Sequence, residues 1–149
     1  MSAIFWIISG IILITLYFLY AGVIMKKNKV KEASAGIDVQ LKKRYDLIPN
    51  LLNMAAKFMA HESKLMEEIT KLRTAAMANS FKDNPQEKIK NEKLLESKLK
   101  EFNLSVENYP DLKSNQTMMT AMQSMNEVEE HIAAARRFYN AAGKDFTEA

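Results

Sequence analysis

The chain has 149 residues, 48% of them hydrophobic, yet its mean hydropathy is −0.23, because the first 25 residues hold 20 apolar side chains and no charge while the other 124 hold all 39 charges. The absence of cysteine excludes a disulfide scaffold, a thiolate metal site and a cysteine nucleophile, and only four Gly and three Pro speak against collagen-like, linker and most all-β chains. The net charge of +3 arises from 21 Lys/Arg interleaved with 18 Asp/Glu, with no basic arm carrying interleaved aromatics, so nucleic acid is not expected as a partner.

Ala3 to Met25 is a 23-residue stretch interrupted only by Ser9, Gly10, Thr15 and Gly22. At about 1.5 Å per residue it spans roughly 34 Å as a helix, enough to cross a hydrocarbon core of about 30 Å. Trp6 near one end and Tyr17 and Tyr20 near the other suit the two lipid–water interfaces. Lys26, Lys27, Lys29 and Lys31 follow at once. A cleaved signal peptide fits less well, since no basic region precedes the run, the run exceeds the usual length of about 7–15 residues, and no A-x-A site follows. The segment is therefore read as an uncleaved, single-pass transmembrane anchor. The lysine collar then places residues 26–149 in the cytoplasm and the N-terminus outside. The lysines either set topology alone or also touch anionic headgroups.

From Val30 a stripe runs in alternating steps of four and three: Val30, Ser34, Ile37, Leu41, Arg44, Ile48, Leu51, Ala55, Phe58, Glu62, Leu65, Ile69, Leu72, Ala76. Eleven of these 14 positions are apolar, the pattern of a helix seam packed on other helices. Pro49 removes one backbone hydrogen bond and disfavours a helical Ile48, which predicts a kink or a tight break. The unslipped phase favours the kink, and a break at Pro49 is the alternative. No Gly or Pro separates Met25 from the stripe, so the membrane helix is expected to continue into the soluble one. Residues 26–78 alone would be about 80 Å long as one helix, which is not stable without partners along its face.

Asn79 to Pro85 reads as a turn, with Asn84 as cap, Pro85 at the first helical position and Glu87 three residues after the cap. A second helix is predicted from Pro85 to about Phe102. Its first half is Lys/Glu-rich and its apolar face short (Leu95, Leu99, Phe102), which predicts a solvated, weakly packed helix. Asn108–Asp111 forms the next turn, and Ser114 or Asn115 can cap the last helix. That helix carries a heptad with Met118, Met125, Ile132, Tyr139 and Phe146 at a and Ala121, Val128, Ala135 and Ala142 at d. Met118, Met119, Met122 and Met125 cluster in its first turns, either as core filler or as an adaptable partner surface.

Motifs that carry chemistry are missing. His61-Glu62 begins like a zincin H-E-x-x-H, but position 65 is Leu, and the other histidine, His131, is seventy residues away. There is no nucleophile elbow and no glycine-rich phosphate loop. The sequons at Asn103 and Asn115 carry no meaning on a cytoplasmic domain. No catalytic residue, metal or cofactor is expected. The unusual residues are polar ones on the long stripe, Arg44 and Glu62. A buried charge requires a partner, and Arg44 can reach Glu129 or Glu130 of the last helix or a neighbouring subunit. Beside the stripe, Asp38–Lys42–Asp46–Asn50 is a ladder of i,i+4 pairs.

The stretch from Val30 to Leu51, VKEASAGIDVQLKKRYDLIPNL, resembles the most distinctive block of the LemA family. His61-Glu62, then Tyr109–Asn115 (YPDLKSN), then Glu130–Asn140 (EHIAAARRFYN) resemble later blocks in the same order. The resemblance implies a single-pass bacterial inner-membrane protein with a cytoplasmic helical bundle and no established enzymatic activity. One branch, with the magnetosome MamQ-like relatives, is associated with organising intracellular membrane. It also marks Asp38, Gln40, Arg44, Asp46, Asn50, Glu62 and Arg136 as a polar network. The chain departs in a short segment before Tyr109 and in stopping at Ala149, where relatives continue into a basic and aromatic segment.

The sequence thus predicts an all-α fold, with a transmembrane helix over residues 1–25 running into an antiparallel bundle of three long helices, or four if broken at Pro49, over residues 26–149. The expected function is a non-catalytic membrane-anchored scaffold that self-associates and organises or shapes membrane. The alternative is an adaptor recruiting a cytoplasmic protein. Membrane lipids and a second copy of the chain are the expected partners, with Met118, Met122, Met125 and Tyr139 as the packing or partner surface.

Overall fold

The computed structural model describes residues 2–79 and 84–147, and every regular element among them is helical, as expected for an all-α chain. Helix α1 spans Ser2–Ala55, a 3₁₀ turn Ala60–Glu62, α2 Ser63–Ala78, α3 Pro85–Val106, α4 Pro110–Lys113 and α5 Gln116–Thr147. Two compact units are distinguished, Met1–Gln40 with Glu130–Ala149, and Leu41–Glu129.

Helix α1 passes through Pro49 without interruption. Proline cannot donate to the carbonyl four residues earlier, that of Tyr45, and its ring crowds that oxygen. The freed carbonyl accepts instead from Arg73 Nε of α2 at 2.7 Å. The backbone group orphaned by Pro49 is therefore satisfied from the neighbouring helix, and α1 continues.

The interruption falls later. Residues 56–62 contain no Gly or Pro, yet α1 ends at Ala55, with Phe58 and Met59 both donating backbone N–H groups to the Ala55 carbonyl at 2.9 Å. A single helix over residues 26–78 is thus not what forms. The stripe survives on both sides, with Ile37, Leu41, Arg44, Ile48, Leu51 and Ala55 buried before the break and Leu65, Ile69 and Ala76 after it. Within the break Met59 is buried and Phe58 exposed, the reverse of what the stripe predicts. A seven-residue interruption preserves a seven-residue phase, so periodicity cannot distinguish one long helix from two. The long helices among the described residues therefore number four, with the break after Ala55 rather than at Pro49.

Helices α2 and α3 pack antiparallel, since Lys98 reaches Glu68 at 2.9 Å while Lys88 reaches the Ala76 carbonyl at 2.6 Å. Of the predicted turn between them, residues 80–83 lie outside the described residues. Its ends behave as expected. The Asn84 side chain accepts from the Glu87 backbone N–H at 3.1 Å and donates to the Glu87 carboxylate at 2.9 Å, with Pro85 next to it at the start of α3. Likewise Asn115 caps α5, accepting from the Met118 backbone N–H at 3.1 Å.

Helix α3 corrects the expectation of a solvated element. It extends to Val106, and Lys88, Glu92, Leu95, Leu99, Phe102 and Val106 are all buried. Their spacing is four, three, four, three, four, one unbroken heptad seam whose first two positions are charged. In α5, Met118, Met125, Val128, Ile132 and Ala142 are buried, whereas Tyr139 and Phe146 are exposed.

Two outcomes follow from these contacts. Arg73→Met is expected to cost about 1–2 kcal/mol, the penalty of an unsatisfied carbonyl, and less than half of that in a Pro49→Ala background, where residue 49 regains its N–H. Urea unfolding of the four variants measures the coupling, and equal costs in both backgrounds would contradict it. Second, the hydrogen bond from Lys98 holds the Glu68 carboxyl below the usual carboxylate range. A depressed carboxyl stabilises the fold at pH values above its unfolded pKa and loses that effect as pH falls through the folded value. The destabilisation by Lys98→Met should accordingly be present at neutral pH in low salt, and should vanish in acid and in about 1 M salt, where the Debye length is about 3 Å. Thermal melts across pH and salt decide this.

Candidate functional site

The most heavily constrained site lies within Leu41–Glu129, where α1, α2, α3 and α5 each contribute polar groups to one buried cluster. Its centre is Arg44, whose side chain is fully buried. Arg44 donates to Glu129 of α5 at 3.0 and 3.3 Å, and its other terminal nitrogen pairs with Glu92 of α3. Glu92 is 1% exposed. Its second oxygen accepts from the Tyr45 hydroxyl and lies 3.2 Å from Lys88 Nζ. Lys88 is buried too. It donates to the Tyr45 hydroxyl at 2.7 Å and to the Ala76 carbonyl, near the C-terminal end of α2, where a cation also complements the helix dipole. Its ammonium stands 5.1 Å from the centre of the Tyr45 ring.

Among the described residues two cations, Arg44 and Lys88, face two carboxylates, Glu92 and Glu129, so their charges balance. That balance is what permits burial, because an isolated charge in an apolar interior carries a desolvation penalty of several kcal/mol. Both oxygens of Glu92 are taken up by donors from α1 and α3. Chemically the arrangement is a cross-link. It holds α1 against α3 and α5 and presents no unengaged carboxylate of Glu92 to a substrate. Arg44 Nε is buried without a hydrogen-bond partner among the described residues.

Arg44 was expected to meet Glu129 or Glu130, and Glu129 is the partner. Sequence reasoning missed Glu92, Lys88, Tyr45 and Arg73. The backward continuation of the seam from Leu95 to positions 92 and 88 signals the first two, and the carbonyl freed by Pro49 signals the need for a donor such as Arg73.

The remaining predicted network residues are not gathered here. Asp38, Asp46 and Asn50 are exposed, and among the described residues no ion pair links them or Lys42. Glu62 is half-buried at the 3₁₀ turn, and Arg136 is half-buried on α5. Gln40 is half-buried, with a side-chain oxygen that has no partner among the described residues. Met118 and Met125 are core residues, Met122 is half-buried, and Tyr139 is exposed. Asn50 helps to line an open groove of about 640 Å³ together with Leu47, Asn53, Gln116, Thr117 and Thr120.

Elsewhere, Trp6, Tyr17 and Tyr20 are exposed on α1, as are Lys27, Lys29 and Lys31, while Lys26 is half-buried. The apolar start of α1 is long and hydrophobic enough to cross a membrane, a test that a signal sequence near an N-terminus also passes. His61 and His131 are both exposed, and no group of three or more His, Asp or Glu among the described residues is placed to hold a metal ion.

The cluster predicts an asymmetric mutational response. Glu92→Gln removes the buried carboxylate that Arg44 and Lys88 share, leaving Glu129 as the one carboxylate of the described cluster, and is expected to cost about 3–5 kcal/mol. Glu129→Gln is expected to cost about 1 kcal/mol or less, because that side chain is 31% exposed and solvent compensates. Denaturant midpoints with unchanged slopes measure both, and similar losses for the two would contradict the central place of Glu92.

Curated proteins provide no significant match. The sequence pattern of the LemA family matches residues 33–149, which include every residue of the buried cluster. The chain therefore belongs to the LemA family.

Proposed function

We propose that the chain is a non-catalytic scaffold, anchored in the bacterial inner membrane by residues 1–25 and presenting its helical part, residues 26–149, to the cytoplasm, where it self-associates and organises membrane. The observation that carries this reading is the exposure of the first helix. Every Ile, Leu, Phe, Trp, Tyr and Val from Ile4 to Ile24 is exposed. A soluble monomer rarely exposes a contiguous apolar surface of more than a few hundred Å². A bilayer is the environment in which such a helix is stable. The exposed aromatic rings of Trp6, Tyr17 and Tyr20 suit the interfaces, and the four lysines after Met25 support the cytoplasmic orientation.

The absence of a catalytic role is supported by the chemistry of the buried cluster. Its ionisable groups are engaged with one another, and they serve to fix helices. Self-association is supported by exposed apolar side chains beyond the anchor, notably Val39, Leu104, Met119 and Phe138.

A second reading, an adaptor for a cytoplasmic protein, is favoured by the groove lined by Asn50, Asn53, Gln116, Thr117 and Thr120. Amide and hydroxyl groups around a few apolar contacts suit the backbone of a peptide segment.

Expression at native level tests both readings. The chain is expected to stay in the membrane pellet after alkaline carbonate washing, and deletion of residues 1–25 is expected to release it. In-membrane cross-linking is expected to yield multimers of this chain alone. A strictly monomeric cross-linking pattern would sink the assembly claim. If a single heterologous protein is captured instead, and is lost on Asn50→Lys with Thr120→Lys, the adaptor reading replaces it.

A further inference from the structure

We propose that the notch between the lysine collar of α1 and the C-terminal end of α5 is a headgroup site for a zwitterionic phospholipid that carries a primary amine. Lys26 and Lys29 hold the phosphate and Asp145 holds the ammonium. The inference rests on the reading of the first helix as a membrane anchor and names the lipid that its collar selects.

The notch belongs to one compact unit and is lined by Lys26, Lys29, Ala142 and Asp145, with a volume of about 320 Å³. Met25 ends the uncharged run, so Lys26 and Lys29 follow it within about 6 Å along the helix axis. In a membrane-anchored chain that is the depth of the phosphates. Asp145 is brought to the same level by its pairing with Lys29. The end of α5 is therefore a second element at the headgroups, and Phe146, exposed beside Asp145, supplies an aromatic ring at that depth. Ala142, small and buried, supplies the apolar part of the lining.

The mixed sign of the lining decides the headgroup. Lys29 Nζ and Asp145 Oδ2 are 3.6 Å apart, with both side chains more than half exposed. A strong charge-assisted hydrogen bond measures about 2.7–2.9 Å, so this pair leaves donor and acceptor capacity on both sides. A purely anionic headgroup gains from the two lysines and is opposed by Asp145. A headgroup with a phosphate and an ammonium offers the two lysines an anion and Asp145 a cation. A quaternary ammonium has the same charge but no N–H to donate, so a choline headgroup is held less well.

The full chain, reconstituted into bilayers of equal parts phosphatidylethanolamine, phosphatidylcholine and phosphatidylglycerol, is released into detergent and its retained lipids are counted by native mass spectrometry. Phosphatidylethanolamine is expected to exceed phosphatidylcholine by about three- to tenfold, the range for one partly exposed charge-assisted hydrogen bond. Asp145→Asn is expected to bring that ratio to about one and to raise phosphatidylglycerol, while Lys26→Gln with Lys29→Gln lowers retention of all three, with helicity unchanged by circular dichroism. Equal retention of the ethanolamine and choline lipids by the unmodified chain, or a phosphatidylglycerol preference that Asp145→Asn leaves untouched, overturns the proposal. So does displacement of lipid by low millimolar inorganic phosphate, which reassigns the notch to a soluble anion. Carbonate extraction of the same sample separates the two readings: a chain that washes off fails as an anchor, whereas one that stays without headgroup preference fails only here.

Discussion

Glu92 is the constraint on which the Leu41–Glu129 unit depends. Arg44 sits on the α1 seam between Leu41 and Ile48, in positions that otherwise hold only apolar side chains. An arginine there destabilises the unit unless an anion meets it inside the core. Glu92 does so from α3, but a buried carboxylate brings its own desolvation penalty and recruits Lys88 and the Tyr45 hydroxyl. Lys88 is in turn completed by the Ala76 carbonyl of α2. Starting from one arginine, the requirement that each buried polar group be satisfied ties α1, α2, α3 and α5 into one register. A well-packed apolar set could be as stable, since buried ion pairs add little net stability over hydrophobic residues of equal volume. What the charges add is discrimination. A seam of Leu and Ile tolerates a slip of one heptad, whereas Arg44 displaced by a heptad loses Glu92 and Glu129 together and carries its charge buried and unpaired.

The Pro49–Arg73 contact works by the same logic on the backbone. Proline within a helix costs about 3 kcal/mol or more in part because a carbonyl is left without its donor. Arg73 restores a donor to Tyr45, the residue whose hydroxyl completes Glu92. One residue thus bears a backbone requirement set by Pro49 and a side-chain requirement set by Arg44, and α2 and α3 answer them from the two arms of one hairpin, near its turn. The long α1 is therefore stable where its own sequence is least suited to a helix.

Helix class, caps and most of the core were legible because they depend on local chemistry and on period. Asn84-Pro85 with Glu87 announces a helix start, and Leu41, Ile48, Leu51, Leu65 and Ile69 announce a buried face. The end of α1 was not legible, because residues 56–62 carry no helix-breaking residue and the phase resumes after them. Nor was the packing of α3, because an apolarity pattern treats Lys88 and Glu92 as solvent-facing even though they fall on the heptad. Arg44 was visible as an anomaly and pointed to Glu129. Its stronger partner, Glu92, needed a second anomaly to be set beside the first. Charged residues at seam positions of two different helices are mutually explanatory, and neither is interpretable alone.

The core and the surface of the chain answer different requirements. In the buried cluster the paired charges and the engaged Glu92 carboxylate hold α1, α3 and α5 in register. The unsatisfied surface is elsewhere. From Ile4 to Met25 the large apolar residues of α1 are exposed, while from Ala33 and Ile37 onward its seam is buried. One continuous helix therefore changes its requirement between Met25 and Ala33, from an apolar surrounding on all sides to a partner along one stripe, and the intervening residues include Lys26, Lys27, Lys29 and Lys31. Under the proposed anchoring, a helix uniformly apolar around its circumference followed by one with a single buried stripe is what bilayer and water demand in turn of the same backbone. The lysines stand where those two demands meet, the point at which a phosphate-bearing surface would lie.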